Sequence, residues 1–153
     1  MHNIASPRTD DSAIEQEIVA KGLTAPRVTP ADLAANIARA YYFTAKEGVD
    51  GRDLEQMRRE APDQKLVFVE LNKDNPPEKS DLAPLCLLTF CVLVLKNGFS
   101  VTGESACASP ENFDAELGRK IARENAVNKM WPLLGFSLKE QLYQSTQPAH
   151  HPV

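Results

Sequence analysis

The stretch from Leu85 to Leu95, LCLLTFCVLVL, constrains the fold more than any other part of the chain. It is too short to cross a bilayer. It is also too apolar to leave either side in water, so it predicts a central strand covered on both faces. Lys96-Asn97-Gly98-Phe99 follows, and Asn-Gly between apolar runs is a strong hairpin signal. A return strand is expected over Ser100 to Ala108. With a two-residue turn at Asn97-Gly98, Lys96 faces Phe99 and the register follows. One face then holds Leu88, Phe90, Val92, Val94, Val101, Gly103, Ser105 and Cys107, and should pack on helices. The other holds Leu87, Thr89, Cys91, Leu93 and Leu95, opposed by Ala106, Glu104, Thr102 and Ser100, with Cys91 across from Glu104.

Downstream, Ser109-Pro110 reads as a helix cap followed by proline in the first turn. Glu116, Arg119, Lys120, Arg123 and Glu124 share one arc of a helix running to Met130. Glu116 with Lys120, and Lys120 with Glu124, are opposite charges four apart, the pattern of a solvated face. The opposite arc carries Phe113, Leu117, Gly118, Ile121, Ala122 and Ala126, and its small residues allow a strand to come close. Asn125 lies within that arc and must find partners when buried, tying down a neighbouring backbone or reaching a ligand. Trp131-Pro132 is expected to end the helix. Gly135 then turns the chain, and Ser137 with Glu140 caps a last short helix to Tyr143.

Upstream, Ser12 and Glu15 read as a capping box, with Gly22 closing that helix. Thr29-Pro30 opens a second helix, extended to about Phe43 on the spacing of Leu33, Ile37 and Tyr41. Asp53 to Glu60 predicts a short solvated helix, Leu66 to Leu71 a strand, and 72–84 a surface loop. The expected architecture is α+β. A small antiparallel sheet of about three strands (Leu66–Leu71, Leu85–Leu95, Phe99–Ala108) packs on the C-terminal helix, with N-terminal helices alongside. The division is a disordered N-terminus over 1–11, one α+β domain over 12–143, and a flexible tail over 144–153.

The residue inventory excludes several chemistries. The three histidines are His2, His150 and His151, all terminal, so a catalytic triad or a histidine metal site on the core has no material. Cys86, Cys91 and Cys107 form no C-x-x-C pair, and free thiols in a reducing compartment are expected. No phosphate-cradling glycine motif occurs. Neither a metal nor a cofactor is expected. The net charge of −4 argues against a general nucleic-acid binder, leaving Arg119, Lys120, Arg123 and Lys129 as the only candidate stripe for one. No apolar run is long enough for a membrane span.

The candidate binding residues are Thr89, Thr102, Glu104 and Asn125, with Tyr41 or Tyr42 placed to stack on a ligand. Glu104, if buried at the sheet centre, would accept protons. A carboxylate hydrolase using Glu104 with Glu111 or Asp114 is the weakest reading, and the expectation is a protein that is not an enzyme.

The residues Asn97-Gly98-Phe99, Gly103-Glu104-Ser105, Phe113, Gly118-Arg119, Ala122, Ala126 and Trp131-Pro132, within the block Leu88 to Leu138, closely resemble the gene-49/gene-66 family of small tailed-phage and prophage proteins. Lys21 to Ala45 is similar to that family's N-terminal half. The family has no established activity, so the resemblance carries over no catalytic residue. It implies a protein made in the bacterial host cytoplasm from phage or prophage DNA. The missing catalytic inventory and the half-apolar second sheet face lead to the expectation of an accessory protein that binds a host or phage protein or itself as a homo-oligomer. The group Thr89, Thr102, Glu104 and Asn125 gives the alternative of a protein that binds or sequesters a small nucleotide-like ligand.

Overall fold

The computed structural model describes residues 11–60 and 82–147. The expected strand Leu66–Leu71, most of the 72–84 loop, the N-terminus before Asp11 and the end of the tail lie outside these residues. The described elements are α1 (Asp11–Ala20), α2 (Pro30–Asn36), β1 (Ile37–Thr44), α3 (Ala45–Glu60), β2 (Leu88–Leu95), β3 (Ser100–Ala106) and α4 (Ala115–Thr146). The three strands form an antiparallel sheet in the order β1-β2-β3. The architecture is α+β, with the long C-terminal helix packed on the sheet and the apolar run of β2 at its centre. Among the described residues no helix is long and apolar enough to cross a membrane.

The second helix is shorter than its periodicity suggests. Thr29 caps α2 by accepting from the Asp32 N–H while Asp32 accepts from the Thr29 N–H. After Asn36 the chain turns extended, and Ile37–Thr44 pairs with β2. Tyr41, Tyr42 and Phe43 are therefore strand residues. Their β-branched and aromatic neighbourhood suits a pleated surface, and pairing with β2 overrides the weak helical spacing. Thr44 then opens α3, accepting from the Glu47 N–H while Glu47 accepts from the Thr44 N–H. This cap starts the third helix at Ala45, well ahead of the expected Asp53.

The hairpin register is one residue away from the expected one. The loop has three residues, Lys96, Asn97 and Gly98. The Gly98 N–H donates to the Leu95 carbonyl at 2.9 Å, and the Leu95 N–H donates to the Phe99 carbonyl at 2.8 Å. Gly98 takes the left-handed conformation at φ 86°, and Asn97 Oδ1 accepts from the Phe99 N–H at 3.0 Å. This is a turn followed by a glycine bulge, which uses Asn-Gly as readily as the two-residue turn does. Cys91 consequently faces Gly103, and Glu104 faces Phe90. The buried face of β2 is Thr89, Cys91, Leu93 and Leu95, while that of β3 is Val101, Gly103 and Ser105 as expected. The chain ahead of β2 is also not strand, because Ala83–Leu87 forms a 3₁₀ turn.

Helix α4 covers the buried face. Asp114 caps it, accepting from the Leu117 N–H at 2.7 Å, and Pro110–Asn112 forms a separate 3₁₀ turn ahead of it. Gly118, Ala122, Ala126 and Met130 are its buried residues, one per turn. A Cβ on Gly103 would lie 2.1 Å from the Ala122 carbonyl oxygen and 2.3 Å from the Ala126 nitrogen. Helix backbone thus rests directly on strand backbone. The helix does not end at Trp131. It runs through Pro132 and Gly135 to Thr146 and takes in the expected last helix and the first residues of the expected tail. Met130 is fully buried, and Trp131 and Leu134 pack on the core, so both sides of the proline are anchored. Asn128, whose carbonyl loses its partner to Pro132, is exposed and has water available.

Helix α1 is held differently. Gly22, at φ 66°, ends it, with Leu23 N–H bonding to the Ile18 carbonyl and Gly22 N–H to the Val19 carbonyl. None of its residues is buried. Its tether is a two-pronged ion pair from Arg27 to Glu15, at 2.6 and 2.7 Å. The hydrogen bond from Arg27 holds the Glu15 carboxyl below the ordinary range, against a smaller desolvation effect. A lowered carboxyl value contributes stability above the ordinary carboxylate range and loses it as pH falls through the lowered value. Amide protection in Asp11–Ala20 should therefore drop at acidic pH before protection in α4 does. In Glu15→Gln the loss should be present already at neutral pH. Equal α1 protection in the variant at neutral pH would contradict this.

Candidate functional site

The register sorts the sheet into two unlike faces. On the face away from α4, β1 contributes Arg39, Tyr41 and Phe43, β2 contributes Val94, Val92 and Phe90, and β3 contributes Ser100, Thr102 and Glu104. They form three cross-strand rows: Arg39–Val94–Ser100, Tyr41–Val92–Thr102 and Phe43–Phe90–Glu104. Rows on one face are about 7 Å apart and strands about 4.8 Å apart. The irregularity between Ile37 and Arg39 brings β1 into this alignment.

The outer strands of this face are exposed and the middle strand is half-buried. Tyr41 is 51% exposed, and Thr102 and Arg39 are exposed too. At one end the Phe43 and Phe90 rings sit 5.8 Å apart, tilted by 33°. Helix α3 begins over that end, where a Cβ on Gly48 would lie 3.6 Å from the Phe43 ring. The result is an apolar middle strand flanked by aromatic and cationic side chains on one side and hydroxyls and a carboxylate on the other.

The expected binding residues do not meet in one place. Tyr41, Thr102 and Glu104 share the open face. Thr89 lies on the other face under α4, and so does Tyr42. Asn125 is on α4 and ties down the neighbouring strand, its Nδ2 donating to the Glu104 carbonyl at 2.8 Å. Lys129 does the same one turn later, donating to the Thr102 carbonyl at 2.8 Å, with its ammonium 3.8 Å from the Glu104 carboxylate. These two side chains occupy carbonyls along β3, which blunts an edge that would otherwise invite another strand. Glu104 itself is 56% exposed at its side chain, so the burial expected for a proton acceptor is missing.

On the covered face Arg123 donates to the Tyr42 hydroxyl at 3.0 Å, and Tyr42 sits across from Cys91. Burial pushes the Cys91 thiol up, with the Tyr42 hydroxyl and the Arg123 charge opposing it only in part. The thiol is neutral at physiological pH and a poor nucleophile. With Arg123 and Lys129 so engaged, the basic stripe considered for nucleic acid loses two of its four members.

Thr89 is a structural liability. Its Oγ1 is buried and has no hydrogen-bond partner among the described residues, beneath Gly118 of α4. An unsatisfied buried hydroxyl costs about 1–3 kcal/mol. Thr89→Val should raise the stability read from chemical denaturation by about 1 kcal/mol. A loss of stability would show that the hydroxyl has a partner.

Missing from the sequence reading was β1, and with it Arg39, Tyr41 and Phe43 as a functional row. The signal available for it was the strand preference of the consecutive aromatic and β-branched residues Tyr41-Tyr42-Phe43-Thr44. No curated protein and no solved structure matches the chain. The profile of the Phage protein (N4 Gp49/phage Sf6 gene 66) family matches residues 28–142, from just before α2 into the last turns of α4 and including the whole sheet, and the chain belongs to that family.

Proposed function

We propose that this phage-family protein is an accessory factor that works by binding another protein, of host or phage origin, across the open sheet face. The observation that carries the reading is the row Tyr41–Val92–Thr102, with its half-exposed tyrosine beside an apolar strand and a polar outer strand. Binding hot spots favour tyrosine and arginine next to an apolar centre with a polar rim, and Arg39 and Tyr41 stand together on β1. The alternative, a nucleotide-like ligand, has less support. The residues proposed for it are split between the two faces. A groove of about 330 Å³ does lie among Ile14, Ile18, Val28, Pro30 and Trp131. Asp11 and Glu15 also line it, a poor setting for phosphate.

Tagged protein recovered from infected cells tests the proposal. The expected result is a stoichiometric protein partner that Tyr41→Ala loses, with affinity down by about tenfold or more, while the circular dichroism spectrum stays the same. Recovery of the chain alone would contradict it, as would a partner indifferent to Tyr41→Ala.

A further inference from the structure

Helix α1 stands off from the body it is tied to, and none of its residues is buried. Asp11, Ile14, Glu15 and Ile18 recur at helical spacing and form the face that it turns inward. Between that face and Val28, Pro30 and Trp131 runs the groove of about 330 Å³, the size of a small-molecule site. A second cavity of about 100 Å³ shares Asp11, Pro30 and Trp131 with it and continues along Leu33, Ile37 and Val127. Val28, Pro30 and Trp131 lie within the residues that the family profile matches, while α1 lies outside them. The floor of the groove thus comes from the matched residues and its acidic wall does not.

Two acids on the inward face of a helix need partners in an otherwise apolar groove. Glu15 has one, because Arg27 binds both of its carboxylate oxygens, at 2.6 and 2.7 Å. Asp11, half-buried, has none: among the described residues its carboxylate makes no hydrogen bond and no ion pair. Arg123, the other cation along these cavities, donates to the Tyr42 hydroxyl at 3.0 Å. Asp32 is a third carboxylate, close enough to act on both Glu15 and Arg27. Three carboxylates therefore stand against two guanidinium groups, and the positive end of α1 offsets only part of the remainder. We propose that the groove binds a small organic cation, an alkyl or aryl amine, with its ammonium at Asp11 and its apolar body against Val28, Pro30 and Trp131. Tryptophan suits both parts of such a ligand, since it offers apolar surface and attracts a cation to its ring face. An anion would meet the unmatched carboxylate, and a neutral apolar molecule would leave it unanswered. The groove is lined by α4, which covers the other face of the sheet, so the site stands or falls independently of the partner proposed for the open face.

Titration of the full chain with phenethylamine and with hexylamine tests the site, read by the fluorescence of Trp131, the one tryptophan in the sequence. The expected result is a saturable change with each amine. Phenethyl alcohol and hydrocinnamate keep the ring without the positive charge, and should bind at least about tenfold more weakly, or about 1.4 kcal/mol. Asp11→Asn should weaken amine binding by a similar factor and leave binding of the alcohol unchanged. Ile14→Lys, one turn along the same face at an exposed position, sets a cation beside Asp11 and should weaken amine binding too. Asp11→Glu should retain it. A bound amine links α1 to the floor of the groove, so amide protection in Asp11–Ala20 should rise with the amine in the wild type and not in Asp11→Asn. Circular dichroism should be the same for all three variants. A wild type that binds neither amine saturably overturns the proposal. So does an alcohol that binds as tightly as the amine, or an Asp11→Asn variant with wild-type affinity for both amines.

Discussion

Replacing Gly103 with alanine should destabilise the protein by about 3 kcal/mol or more, the upper end of what overpacking costs. The added methyl would sit 2.1 Å from the Ala122 carbonyl oxygen and 2.3 Å from the Ala126 nitrogen. Both are helix backbone, so no side chain can swing aside to admit it. Either α4 lifts from the sheet along its whole buried stripe, or β3 bends outward and loses pairs with β2. Lifting the helix uncovers Cys91 and Leu93, both fully buried. Denaturant unfolding of the variant checks this. Glycine to alanine at Gly135, an exposed helix position with open space around it, is the control and should be neutral or stabilising. An alanine at 103 that folds with wild-type stability would mean that the helix does not rest on β3 there.

Pro132→Ala should do the opposite and stabilise the chain by about 1–3 kcal/mol. Proline inside a helix removes one hydrogen bond and crowds the carbonyl four residues earlier. Here that carbonyl belongs to Asn128, on the exposed side of α4. Alanine restores the bond without disturbing Met130, Trp131 or Leu134, which anchor the helix on either side. Thermal and chemical unfolding both report the gain. A helix that broke at Trp131 would gain nothing from the change.

These two variants mark where sequence and structure part. Two opposed small-residue surfaces were visible in the sequence, Gly103 on the strand and Gly118, Ala122 and Ala126 on the helix. They correctly imply that strand and helix come close. The face of β3 was likewise legible, because Val101, Gly103 and Ser105 alternate with exposed residues. The face of β2 was not. All its residues are apolar except Thr89, so alternation is silent and the register had to come from the turn. Asn-Gly serves both the two-residue loop and the three-residue loop with a glycine bulge, and the choice between them moves every β2 side chain to the opposite face.

Pro132 misled for a related reason. A local rule against helical proline is worth about 3 kcal/mol, and burial of Met130 with its neighbours on both sides outweighs it. β1 escaped because Leu33, Ile37 and Tyr41 happen to fall at helical spacing, while strand pairing depends on β2, some fifty residues away. The candidate site inherits both errors. Thr102 and Glu104 were placed together correctly, since they share a strand. Thr89 and Tyr42 were assigned to their company only through the shifted register and the missed strand.

The open sheet face exists only if β1 is a strand and the three-residue loop sets the register. Cross-strand nuclear Overhauser contacts in labelled protein read both points at once. Contacts linking Tyr41 with Val92 and Val92 with Thr102 are the expected result. Helical contacts through Ile37–Thr44, or Val92 paired with Gly103 in place of Thr102, would contradict it.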